Sequence, residues 1–407
     1  MKYIFYLLPG LLNVVISLFH FITTKRMADS GATSLLVTAT IPTWALTYTA
    51  ASFFIGRFAT RSNAVKITLI SQIILLISMA GLIFSSSVNM QFLWLTGSGI
   101  GTGLFFVPFQ AVVKLFEKKE IALETFARST AIYTVSWSSG QAIGPIIAAL
   151  LWGYFDPQNG WKYCYLLNMA IVLLVIISLF FMQVFIRKRI NEENHLALSA
   201  CDAEGKQPDS AATAANTASE STLPDVMRSA WLLALGGYLA LAVIRSYLPD
   251  YATKTLQLPT SAQGMMLGIL SVLQVTAAAC FIKTRYWPYR PYIGTAGCIC
   301  AVMSFVLILN VDHAQGIWLA TGLFGIFSGI FCYNLTYHAL ANAAKSARYA
   351  SINETIVGAT SILAPLGAGF LADCAGAAMP FYCLIAILLA TAFIYSCMLW
   401  RYRNTGR

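Results

Sequence analysis

Residues 127–153, ARSTAIYTVSWSSGQAIGPIIAALLWG, and residues 347–373, ARYASINETIVGATSILAPLGAGFLAD, read as one membrane helix written twice. Each copy opens on an Ala-Arg pair, Ala127-Arg128 and Ala347-Arg348. Each then runs free of lysine and arginine to a proline seventeen positions past its arginine, Pro145 and Pro365. A second pair agrees. Thr49-Ala50-Ala51 with Phe54-Ile55 recurs as Thr276-Ala277-Ala278 with Phe281-Ile282, at an offset of 227 positions against 220 for the first. Similar offsets at two separate places predict a chain built from a duplicated half. Parallel repeats in a polytopic membrane protein place the substrate site between the halves, near the bilayer midplane.

Composition supports a bilayer setting. The chain is 58% hydrophobic and 10% charged, whereas charged residues make up about 25% of ordinary soluble domains. Charge-free stretches long enough to cross a bilayer fall six before and six after a polar gap rich in Ala, Ser, Thr and acids. This predicts an all-α polytopic membrane protein of twelve transmembrane helices in two six-helix pseudo-repeats. Residues 1–186 form one half, 187–228 a flexible cytoplasmic linker, and 229–407 the other half. The first span lacks a small-residue cleavage site and is expected to remain as helix 1. Of the 26 lysines and arginines, 21 fall in loops on the side of the chain ends. Only Lys25, Arg26, Lys162 and Lys254 fall on the other side, and Arg245 lies inside span 7. That bias predicts both termini in the cytoplasm and a multi-pass protein of the inner (plasma) membrane. The formal charge of +10 is thereby explained by orientation, with no nucleic-acid partner.

Catalytic and metal chemistry have little support. The four histidines, His20, His195, His313 and His338, form no HExxH-type cluster, and the nine cysteines lie mostly in apolar helices as small packing residues. The expectation is a monomeric, cofactor-free, non-enzymatic protein whose partners are a small-molecule substrate, the lipid bilayer and, where transport is driven, protons.

Six plus six spans, a central polar linker and basic loops on one side resemble the major facilitator superfamily over essentially the whole chain. That family's loop between helices 2 and 3, Gly-x-x-x-Asp-Arg-x-Gly-Arg-Arg, is matched here by Gly56 and Arg61, with Thr60 in place of the acid. In helix 4 the glycines Gly97, Gly99, Gly101 and Gly103 are kept, but Leu95 stands where the family often has arginine. No strand pattern precedes these glycines, so close helix packing is their expected role rather than phosphate binding. Helix 5 resembles the antiporter motif through Ala131, Gly140, Gly144, Pro145, Ala148 and Ala149, and this resemblance leans toward export. It implies a secondary active transporter of a small organic solute working by alternating access. The alternatives are an uptake permease for a neutral sugar or nucleoside, or a non-transporting sensor or lipid-moving protein on the same scaffold.

Polar groups in hydrocarbon are costly, so those inside the spans are the candidate site. Glu354 is the one acid of sixteen clearly within a span, and with His20 it forms the candidate coupling set. Arg245 is a candidate clamp for a carboxylate or phosphate, set against a pairing with Asp250 at the surface. Asn13, Gln110, Gln274, Asn334 and Tyr337 are neutral candidates, together with Trp44 and Tyr48. Tyr133, Trp137 and Gln141 stand at i, i+4, i+8 on one face of helix 5, an aromatic and amide stripe suited to stacking and hydrogen bonding.

Overall fold

The computed structural model describes residues 2–58, 63–85, 87–115, 123–155, 159–203, 225–281, 287–341 and 346–405. Among them there is no strand. Span 1 is α1 (Lys2–Asp29), and span 2 is the short α2 (Ser34–Thr38) followed by α3 (Thr40–Phe58). Spans 3 to 6 are α4 (Ala64–Phe84), α5 (Val88–Leu115), α6 (Leu123–Phe155) and α7 (Gly160–Ala203). Span 7 breaks at Tyr247 into α8 (Met227–Ser246) and α9 (Leu248–Lys254). Spans 8 to 12 are α10 (Thr260–Phe281), α11 (Pro291–Asn310), α12 (Ala314–Ala341), α13 (Ser346–Ala375) and α14 (Met379–Thr405). Nine crossings are long and apolar enough to span a membrane by length and composition among the described residues. Twelve spans, an even number, return both described ends of the chain to one face, the terminal face; Asp29, Ser34, Lys254 and Asp373 mark the distal face.

The helices show little amphipathic contrast because lipid, not water, surrounds them. On α4, Ile70, Ile73 and Ile77 are each half exposed, while Ser71, Gln72 and Ser78 are buried. Apolar side chains point to lipid and small polar ones to neighbouring helices. The helix of span 6 continues past residue 186 to Ala203, so the first part of the expected linker is helical. Its Arg, Lys, Glu, Leu and Ala residues are good helix formers, a signal that hydropathy alone does not carry. Residues 204–224 lie outside the described residues.

Glycines set the helix spacing. A Cβ on Gly99 or Gly103 would come within 2.6 Å of the Trp44 or Tyr48 carbonyl of α3, whereas Gly97 and Gly101 face Ser78 and Ser71 of α4. The glycine run of α5 is thus wedged between two helices, with i, i+4 pairs on each side. The second half repeats one of these wedges. Gly325 meets the Leu270 carbonyl and Gly329 the Gln274 carbonyl of α10. Every partner is shifted by 226 positions (44 to 270, 48 to 274, 99 to 325, 103 to 329). The backbone register is therefore one residue short of the offset of 227 read from Thr49 and Thr276, because contact geometry, not residue identity, defines equivalence. The halves also differ. Gly140 approaches Gly10 and Asn13 of α1, and Gly144 approaches Ser17 and Leu18, whereas Gly358 and Gly367 of α13 touch nothing within 4 Å.

The α1–α6 crossing should therefore be intolerant of bulk. Gly140→Leu places side-chain atoms into the α1 backbone, and overpacking of this kind costs about 1–3 kcal/mol. A lower melting temperature in detergent is expected for Gly140→Leu, against little change for Gly358→Leu. Equal melting temperatures for the two variants would remove the crossing from this account.

Candidate functional site

The halves meet at the distal face through two related contacts. Gly264 of α10 lies against Pro145 and Ala149 of α6, and Gly369 of α13 lies against Ser34, Leu35 and Thr38 of α2. Ala149 and Gly369 are 220 positions apart and Thr38 and Gly264 are 226 apart, so one contact is the other with the glycine moved to the opposite partner. In both places a Cβ on the glycine would collide with the facing helix.

Charge closes the same face. α13 ends where Gly376 takes a left-handed φ of 100°. Asp373 lies in that last turn, and its carboxylate accepts from the Ser34 and Leu35 backbone N–H groups at 3.0 and 2.9 Å. These are orphan donors at the start of α2, which a carboxylate satisfies well. Asp250 of α9, buried, accepts from Ser34 Oγ at 2.6 Å and pairs with Lys254 at 2.8 Å. Lys254 in turn donates to the Ala32 carbonyl at 2.6 Å. Asp250 is thus committed to the seal and does not pair with Arg245, contrary to the surface pairing weighed for that arginine.

Arg245 instead turns inward. Its Nη2 donates to Gln141 Oε1 of α6 at 3.1 Å, a hydrogen bond between the halves and proximal to the glycine seal. Its charge lies within electrostatic reach of His20, Tyr238 and Cys332. No carboxylate pairs with it among the described residues. His20 of α1 packs edge-on to Trp44 at 4.6 Å, and Trp44 stacks on Tyr48 at 5.0 Å while donating from Nε1 to Thr102 Oγ1 at 3.4 Å. His20 Nε2 is buried without a hydrogen-bond partner. On the other side, Tyr238 OH and Gln274 Nε2 both approach Cys332 Sγ, at 3.7 and 3.8 Å. Tyr238 also lies within reach of Glu354 of α13.

The structure brings together Arg245, Gln141, His20 and, on the adjacent wall, Gln274. It sets other candidates elsewhere. Asn13 donates to its own helix at the Pro9 carbonyl, 2.9 Å away, within the α1–α6 crossing. Asn334 points toward Tyr395 of α14, 3.5 Å away. Tyr337 joins Tyr289, Tyr333 and His338 in an aromatic cluster at the terminal end of α12. Burial there pushes the Tyr289 phenol above its ordinary value. Gly56, Gly140, Gly144, Pro145 and Pro365 lie within α3, α6 and α13. Arg61 and the side chains of Gln110, Tyr133 and Trp137 lie outside the described residues. Glu354 is exposed within its span, and its neighbour Asn353 accepts from Trp231 Nε1 at 2.9 Å, tying α13 to α8. Tyr238 is the residue that the reading of the sequence missed; it lies seven positions before Arg245, two turns away on the same helix face, which would have marked it. An apolar cleft of about 390 Å³ between Phe54 and Phe58 of α3 and Leu104 of α5 holds no charged group and stands apart from this site.

A family model described as Major Facilitator Superfamily matches residues 4–365. No curated protein matches the sequence. Among solved structures, the chain is similar to a bacterial homolog of the human lysosomal transporter Spinster in its inward-facing, unoccupied conformation. The TM-score is 0.70 at 13% identity, covering 99% of this chain and 97% of that one. It is also similar to the peptide transporter POT in complex with sulfate (TM-score 0.67, 15% identity, 98% and 94% covered) and to a D-xylose-proton symporter (0.69, 13%, 96% and 96%). At these identities the likeness carries the fold and nothing about the solute.

Removing the Asp373 carboxylate should loosen the seal without unfolding either half. Asp373 is exposed, so water competes for these bonds and they contribute about 1 kcal/mol; Asp373→Ala should raise amide exchange at Ser34 and Leu35 roughly fivefold. Amides in the core of α12 should be unchanged. Unaltered exchange at Ser34 and Leu35 would show that this contact does not hold the face closed.

Proposed function

Because the chain belongs to the Major Facilitator Superfamily, it is a transporter rather than an enzyme, and we propose that it moves a small organic solute by rocking its two halves about Arg245 and Gln141. The observation that carries this reading is the Arg245–Gln141 hydrogen bond between the halves, which sits beneath a distal seal of breakable contacts. A solute bound there would touch both halves at once, as alternating access requires. The distal face is the outside, supported by the 21 basic residues on the other face against four here. Both termini and the linker are then cytoplasmic, in a plasma membrane, and the chain works as a monomer.

The direction is export, on the helix 5 resemblance alone; Gly140 and Gly144 already have a packing role against α1. For coupling we assign Glu354. An exposed carboxylate in a membrane span that also lies within reach of half-buried Tyr238 faces the interior of the bundle rather than lipid.

Radiolabelled solute panels in proteoliposomes test the transport reading, which fails if no solute crosses faster than in protein-free vesicles. Within a proton gradient, Glu354→Gln should keep exchange of solute across the membrane but lose accumulation against a gradient, since its side chain cannot change charge. Full gradient-driven accumulation in that variant would remove Glu354 from the coupling role.

A further inference from the structure

Building on the transport reading, we propose that the solute is a small organic anion whose single oxyanion group, carboxylate or phosphate ester, binds Arg245 while its body lies along His20, Trp44 and Tyr48. The Arg245 guanidinium has five N–H donors, and one neutral amide oxygen, Gln141 Oε1, is its hydrogen-bond acceptor among the described residues. The distal face is served more fully: Arg26 there donates to two backbone carbonyls, of Leu82 and Ser85, and lies over the Trp161 ring, and two lysines have carboxylates. Lys25 pairs with Asp29, and Lys254 pairs with Asp250. Inside the bilayer the cost of a bare charge is far higher than at those edges, so an arginine kept there without a carboxylate marks a place where a negative charge arrives from elsewhere. A planar fork with free donors matches carboxylate and phosphate oxygens in bidentate geometry.

The surroundings argue for one anionic group rather than several. Arg245 is the one arginine or lysine within the spans at this level; the neighbouring polar atoms are His20 Nε2, Tyr238 OH and Gln274, which offer hydrogen bonds rather than fixed charge. His20 Nε2, buried and without a partner, is placed to hydrogen-bond a second polar atom of the solute. The stacked pair Trp44 and Tyr48, with His20 edge-on, supplies a flat apolar wall for an unsaturated or aromatic body.

The test is thermal stabilisation of the full-length protein in detergent by matched sodium salts and neutral analogues at constant ionic strength. The probes are benzoate and phenyl phosphate, against benzamide, benzyl alcohol and benzylammonium. The native protein should be stabilised by an anion and not by the neutral or cationic forms, with benzoate against phenyl phosphate deciding between carboxylate and phosphate. Arg245→Gln should weaken anion binding about tenfold or more, and Arg245→Lys should retain the anion preference at lower affinity. The ranking on the native protein needs no variant, so a misfolded Arg245→Gln leaves the test intact. Equal stabilisation by benzamide and benzoate, no stabilisation by either anion, or an anion preference that survives Arg245→Gln overturns the proposal. The transport reading fails separately: Arg245-dependent anion binding with no flux in proteoliposomes would leave the anion site and remove transport. Flux of a neutral solute at equal rates through the native and Arg245→Gln proteins would do the reverse.

Discussion

The close approach of the two halves at Gly264 and Gly369 is the constraint on which the rest depends. At each contact a helix of one half presents a glycine to the backbone of the other, and no side chain larger than hydrogen fits. In lipid, where apolar burial gives no advantage over the surrounding tails, such backbone-close contacts are a main source of helix association. They bring α2 under the end of α13, which allows the Asp373 carboxylate to reach two free amide donors. They also bring α6 against α10 of the other half, and Arg245 of α8 reaches across to Gln141 of α6.

The two contacts are copies of one another with the glycine exchanged between partners, so the seal is symmetric in shape and asymmetric in chemistry. Its charged members, Asp250, Lys254 and Asp373, all come from the second half, and they bind backbone and a hydroxyl of the first: the Ala32 carbonyl, the Ser34 hydroxyl, and the Ser34 and Leu35 amides. A seal built from hydrogen bonds of this kind can exchange its partners for water as it opens. Arg245 sits deeper, half-buried near His20 and Tyr238, and its hydrogen bond between the halves goes to a side-chain amide oxygen, Gln141 Oε1.

The duplicated half, the all-α architecture and the twelve crossings were legible from the repeat of Pro145 and Pro365, the hydropathy and the placement of basic residues. The family model and the fold agree with that reading. The register of the repeat was legible only to within one residue, since the contacts of Gly103 and Gly329, not the Thr-Ala-Ala identity, define it. Of the candidate site, Arg245 and Gln141 were visible as costly polar groups in apolar helices. Their pairing was not, because they lie on different halves and helix rotation cannot be read from spacing. The same limit hid the partners of Asp250 and Asp373, more than 200 positions away in sequence. Asn13 and Asn334 carried the same polar signal as Gln141, yet one bonds its own helix and the other faces α14, so polarity inside a span does not by itself separate packing from the candidate site.

The central claim is that the distal seal opens and closes as a unit around Arg245. Double electron–electron resonance between spin labels at Ser30→Cys and Ala375→Cys, in an otherwise cysteine-free protein in nanodiscs, measures it directly. The account predicts two distances, the shorter matching the closed face described above, with Gly264→Leu moving the population toward the longer. A single narrow distance, unchanged by Gly264→Leu, would contradict it.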